Sequence, residues 1–162
     1  MVSGLSRTKK SLAAHAPALT QALMEFETAS RSLTEAIDRD AASFEAVVAA
    51  HRLPKQTPEE IRQRDLAAQV AMKHAVEVPL EIARQAASVF EKLRQLESMC
   101  GPSMISDVRV GRMMAAAAAR GALENVATNL ESISDQDFVA RAHEESRSLS
   151  SRITEDSRPA DR

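Results

Sequence analysis

From Leu12 to His51, residues recur in alternating steps of four and three: Leu12, Ala16, Leu19, Leu23, Phe26, Ser30, Leu33, Ile37, Asp40, Phe44, Val47 and His51. An α-helix turns that spacing into one face, because about 3.6 residues complete a turn. A helix over residues 6–52 would run on the order of 60 Å at about 1.5 Å per residue. That exceeds the diameter of a small domain, so the helix needs a partner of similar length, folded back or from a second subunit. Leu53-Pro54 ends the segment, since a residue before proline avoids the α region. Pro17 keeps any helix before it short or kinked.

The next segment opens on Thr57-Pro58-Glu59-Glu60, which reads as an N-cap, a first-turn proline and the third position of a capping box. Its apolar stripe runs through Ile61, Met72, Val76, Pro79, Ala83, Phe90 and Leu93, so Pro79 is expected to kink the helix and not to end it. Met99-Cys100-Gly101-Pro102-Ser103 is the clearest break. A third helix is expected from Ser106, as N-cap, to about Leu130, with Asp107 in its first turn. Its Gly111, Gly121 and alanine run permit close helix approach. A short fourth piece starts at Ser134–Asp137 and reaches Arg147. Residues 148–162 read as a disordered tail, because they offer little to bury.

Trp and Tyr are absent and Phe occurs four times, so the aromatic and β-branched runs that strands prefer are missing. The expected fold is all-α: an antiparallel helical bundle of long kinked helices, dimeric, with one domain over 1–147. A formal net charge of −2 gives no electrostatic footprint for nucleic acid, and no aromatic platform for single strands exists. One cysteine, Cys100, forms no intramolecular disulfide, and no Cys/His cluster has metal-ligand spacing. No apolar run approaches the roughly 18 residues of a membrane span, and no signal-peptide core opens the chain. These features make the cytoplasm the expected location and argue against membrane and nucleic-acid partners.

A few residues break the pattern. Asp40 falls on the apolar stripe between Ile37 and Phe44: either a functional carboxylate, or a surface residue on a stripe that drifts around the helix. Asp107, Gly111, Met114, Ala118, Ala122, Asn125 and Asn129 share one face of the third helix. Asp107 there is equally a partner for the helix dipole, and the two asparagines are equally helix-to-helix hydrogen-bonding groups. Lys55 sits in a proline-held corner. No Ser- or Cys-based hydrolase constellation and no phosphate-cradling loop is present.

Taken in order, Asp38-Arg39-Asp40-Ala41-Ala42-Ser43-Phe44, Leu53-Pro54-Lys55-Gln56-Thr57-Pro58-Glu59-Glu60, Glu77-Val78-Pro79-Leu80, Ser106-Asp107 and Asn125-Val126-Ala127-Thr128-Asn129-Leu130 resemble one family. It comprises the cyclodeaminase domain of formiminotransferase-cyclodeaminase and the free-standing methenyltetrahydrofolate cyclohydrolases. The resemblance spans about Val2 to Arg141. It implies an all-helical, dimerising subunit with a groove for a tetrahydrofolate one-carbon derivative, and no permanently bound cofactor or metal. By position, Asp40, Lys55 and Asp107 are the implied catalytic residues, and Gln69, Asn125 and Asn129 the implied substrate-binding ones.

Two departures are visible. Met1-Val2-Ser3-Gly4-Leu5 looks like the end of the family's first helix, so its opening Gly-rich turn and most of that helix are expected to be missing. Cys100-Gly101-Pro102-Ser103 stands where the family commonly has a Gly-Asn pair. A subunit lacking that helix should expose apolar surface. The rival reading is a non-catalytic helical dimer that retains only the scaffold; a generic coiled-coil adaptor explains the stripes but not the ordered motifs.

Overall fold

A computed structural model describes residues 15–154. Helix α1 is Ala16–His51, α2 Pro58–Leu96, α3 Ile105–Leu130 and α4 Gln136–Arg152, with a 3-10 turn over Pro102–Met104 leading into α3; no strand occurs among the described residues. The expected start of the first helix at Ser6, and the reading of Met1–Leu5, lie outside the described residues.

The partners fix the topology. Across α1 and α2, Glu25 pairs with Lys92, Ser32 accepts from Gln85, and Arg39 meets Glu81 at 3.1 Å. Residue numbers rise on one helix as they fall on the other, so the two are antiparallel. The same holds for α2 and α3, through Asn129 on Ala75 and Arg109 on Glu97. Helix α4 instead runs parallel to α2: Lys73 meets Asp135, Arg84 meets Glu145, and Arg152 meets Glu91. The central helix is therefore α2, with each of the others packed on it.

The local signals explain the boundaries. The capping box forms in full: Glu60 N–H donates to Thr57 Oγ1 at 3.2 Å, and Thr57 N–H donates back to Glu60 Oε2 at 3.0 Å. Pro79 lies inside α2 without ending it. At α3 the expected cap fails. Ser106 is already helical, and Met104, with no side-chain cap, is the N-cap. The 3-10 turn, closed by Met104 N–H on the Gly101 carbonyl at 2.9 Å, delivers a backbone already wound for the helix. The expected tail boundary is also wrong. Helix α4 continues to Arg152, and Leu149 and Ile153, one turn apart, are buried in the main core.

That core is unusual in its materials. Phe90, Leu80, Val76 and Leu130 pack against an alanine seam, Ala115, Ala116, Ala119 and Ala122 of α3. A smaller cluster of Leu19, Leu96, Cys100, Met104 and Val108 closes the other end. Burial raises the Cys100 thiol's pKa. The α1 stripe is only partly covered: Ala36, Ser43 and Ala50 form its buried line, while Ile37 and Phe44 are each 68% exposed. The helix is thus rotated from the face its apolar residues mark.

Three ion pairs hold α4 to α2. A hydrogen bond from Arg152 holds the Glu91 carboxyl below its ordinary range, as Arg84 does for Glu145 and Lys73 for Asp135. A carboxylate whose pKa is depressed by folding adds stability above its unfolded value, and that stability is lost as pH falls through the folded one. The ordinary values are 4.5 for Glu and 3.8 for Asp, so the loss belongs below about pH 4.5. On acidification, α4 amides are expected to lose hydrogen-exchange protection before those in the middle of α2 and α3. Simultaneous loss throughout would show that these pairs do not govern α4 docking.

Candidate functional site

Helices α1, α2 and α3 leave a groove of about 340 Å³, lined by Leu33, Ile37 and Asp40 of α1, Pro79 and Ile82 of α2, and Ala118, Ala122 and Asn125 of α3. It exists because α3 presents alanines here: small side chains let the backbones approach but do not fill the space between ridges. Asp40 and Asn125 are exposed in it. Ser43 donates to the Asp40 carbonyl at 2.8 Å, and the neighbouring Arg39 is turned towards Glu81. Among the described residues no cation pairs with Asp40. A carboxylate and a carboxamide therefore share an otherwise apolar cleft, an arrangement suited to a largely apolar ligand carrying a positive charge.

A larger groove of about 500 Å³ lies between α1 and α2, lined by residues including Met24, Phe26, Gln85 and Val89. Its polar groups are already engaged with one another, Glu25 with Lys92 and Gln85 with Ser32. It contains none of the site residues expected from sequence, and the smaller groove is the better candidate.

The remaining four residues do not line this groove. Lys55 is exposed in the 52–57 connection, beyond His51, the end of α1, which lies about 16 Å along that helix from Asp40. Asp107 is in the first turn of α3, about 27 Å along it from Asn125. Gln69 is committed to the α3–α4 connection: its amide donates to Ser132 O at 2.9 Å, and its oxygen accepts from Ser134 N–H at 2.8 Å and Ser134 Oγ at 2.9 Å. Asn129 donates to the Ala75 carbonyl at 2.7 Å. The structure thus gives Gln69 and Asn129 internal partners. Sequence reasoning had Leu33 and Pro79 only as stripe residues and missed Ile82 altogether as groove wall; the in-helix proline was the one signal that marked this level of the bundle. Among the described residues, no group of three His, Cys, Asp or Glu side chains is placed to hold a metal ion.

An all-helical bundle with a carboxylate–carboxamide groove narrows the class, and comparison with known proteins places it. Residues 1–148 match the formiminotransferase-cyclodeaminase family. The chain belongs to that family. It is 38% identical over 125 residues to formimidoyltransferase-cyclodeaminase of Sus scrofa, covering 76% of this chain and 23% of that one. Identity to methenyltetrahydrofolate cyclohydrolase of Methylorubrum extorquens is 34% over 139 residues, covering 86% of this chain and 67% of the relative. The chain thus spans about a quarter of the length of the first relative and two thirds of the second. Its fold matches the crystal structure of formiminotetrahydrofolate cyclodeaminase from Thermotoga maritima with a TM-score of 0.75 at 24% identity, over 94% of this chain and 72% of that one.

Proposed function

We propose that this chain acts on the formimino or methenyl carbon of a tetrahydrofolate derivative, as a cyclodeaminase or a cyclohydrolase, in the Asp40–Asn125 groove. The observation that carries the reading is a carboxylate, without an ion-pair partner among the described residues, and a carboxamide lining one apolar cleft. The names of the similar proteins supply the substrate class. A methenyl bridge is a cationic amidinium carbon, so the Asp40 carboxylate stabilises it or takes a proton from an attacking water. The carbon is electrophilic as it stands, and the proposed chemistry calls on no bound cofactor. Asn125 offers hydrogen bonds to the pterin edge. In the deaminating direction ring closure expels ammonia, which requires a proton donor.

Lys55, as proton donor or as a contact for the anionic glutamate tail of folate, and Asp107 are too far from Asp40 to act with it in one chain. Their parts in the reaction require a second copy to bring its own residues across. A homodimer is the arrangement that supplies them. The exposed Ile37 on α1 and Met114, 68% exposed on α3, put apolar surface on the helices that wall the groove, and that surface suits a second copy. The cytoplasm completes the proposal: a single thiol is what a reducing compartment accommodates, and no described helix is long and apolar enough to cross a membrane.

Following the methenyltetrahydrofolate chromophore from the formimino side and from the methenyl side tests the activity. Appearance or loss above the uncatalysed rate names the reaction. No change from either side in a folded sample favours the scaffold-only alternative. For the assembly, Met114→Glu should leave the helical content intact, because surface changes of this kind usually stay within about 0.5 kcal/mol. In sedimentation velocity it should convert a dimer to a monomer. A wild-type chain that is already monomeric refutes the dimer, and a variant that dimerises as before moves the interface elsewhere.

A further inference from the structure

We propose that Pro79 and Asn129 form a single positioning device, which locks the register of α3 on α2 and thereby holds Asn125 in the groove beside Asp40. The inference rests on the groove being the active site, but its physical part stands on the helices alone. In an uninterrupted α-helix the N–H of residue 79 would donate to the carbonyl of residue 75. Proline has no N–H, and its ring pushes the carbonyl four residues back out of the helix. Ala75 is buried, 7% exposed as a residue, which leaves water little access to that carbonyl. The Asn129 side chain compensates it, with Nδ2 at 2.7 Å from the Ala75 oxygen. An asparagine on the neighbouring helix thus makes the hydrogen bond that the proline removed.

Register is the reason this matters for the site. The seam between α2 and α3 is built on Ala115, Ala116, Ala119 and Ala122, and short identical side chains discriminate poorly between one alignment and the next. A directional bond does discriminate: sliding α3 by one residue moves Asn129 by about 1.5 Å and turns it by about 100°, which breaks the contact. Asn125 is one helical turn before Asn129, and both Asn125 and Pro79 line the groove. Fixing Asn129 on the proline-orphaned carbonyl therefore fixes where Asn125 stands. Asn129 is then a positioning residue acting through Asn125, and not a ligand for substrate.

The test is a double-mutant cycle of the full chain: wild type, Asn129→Ala, Pro79→Ala and the double variant, each measured by urea unfolding. Asn129→Ala alone should lower the folding equilibrium constant about ten- to a hundredfold, the range for a buried carbonyl left unpaired. In the Pro79→Ala background the restored backbone N–H takes the Ala75 carbonyl, and the same Asn129→Ala change should cost less than about threefold. Equal losses in both backgrounds would overturn the device. Position is read from the side-chain amide signal of Asn125 in nuclear magnetic resonance spectra. That signal should shift or broaden in Asn129→Ala and stay altered in the double variant, where stability is restored but the bond across the helices is not. An unchanged signal would overturn the positioning role. Turnover should follow the Asn125 signal and not the stability; a wild type without turnover would refute the proposed function while leaving the cycle and the signal readable.

Discussion

Replacing Asp40 with Asn is expected to lower turnover on the formimino or methenyl substrate by about a hundredfold or more, while leaving the fold untouched. The two substituents are nearly isosteric, so the change removes charge and basicity and little else. A hundredfold loss corresponds to about 2.7 kcal/mol in the barrier, within the range for removing a general base or a preorganised electrostatic group. Stability is expected to change by less than about 0.5 kcal/mol, because Asp40 is exposed and makes no ion pair among the described residues. Parallel measurement of turnover and urea unfolding separates the two effects. A rate within about twofold of wild type, roughly 0.4 kcal/mol, would make Asp40 incidental and move the chemistry to another carboxylate.

Phe90→Ala should have the largest effect on stability, a loss of about 3–5 kcal/mol in denaturant unfolding. Phe90 is 1% exposed, and it is the one fully buried aromatic among the described residues. The Arg112 guanidinium lies over its ring, 5.8 Å from the centroid. Phe90 shares its core with the short alanines of α3, which have no length with which to fill a cavity, so relaxation falls to Arg112 and the expected cost stays within that range. Phe90→Leu, which keeps most of the volume, should cost less than half as much. A loss below about 1 kcal/mol for the alanine variant would mean that the helices close over the gap and that the seam is softer than its packing implies.

The sequence made much of this architecture legible where local chemistry is sufficient. The Thr57–Glu60 box and the Leu53-Pro54 stop are decided by neighbours in the chain, and both occur as read. The start of α3 was misread because the cap is a backbone turn and not a side chain. The end of α4 was misread because residues 148–152 are mostly Ser and Arg, which look like a tail. Leu149 and Ile153, spaced four apart and seven beyond Ala142, were the signal for a docked helix. The groove was half legible. Asp40 and Asn125 drew attention as polar residues on otherwise small or apolar faces, and both line the same groove. Asn129 shares that face, but one further turn moves it about 40° around the helix, from the groove to the α2 carbonyl that Pro79 leaves open. That step depends on which neighbour lies alongside, and a single helix's periodicity does not carry it.

Helix α1 rests on α2, and α4 rests on α2 and α3 together, so α2 is the spindle of the described bundle. Either outer helix can come away without undoing the other, whereas melting the middle of α2 removes most of what holds the bundle. The consequence is an order of disassembly. Partial openings should be of the peeling kind, with α1 or α4 leaving first and the α2–α3 pair persisting to the global transition. The Asp40–Asn125 groove is walled by α1 on one side and by that persistent pair on the other. It can therefore open by movement of a single helix while Asn125 and Pro79 remain in place, which would give the proposed substrate a way in that leaves half of the groove already formed.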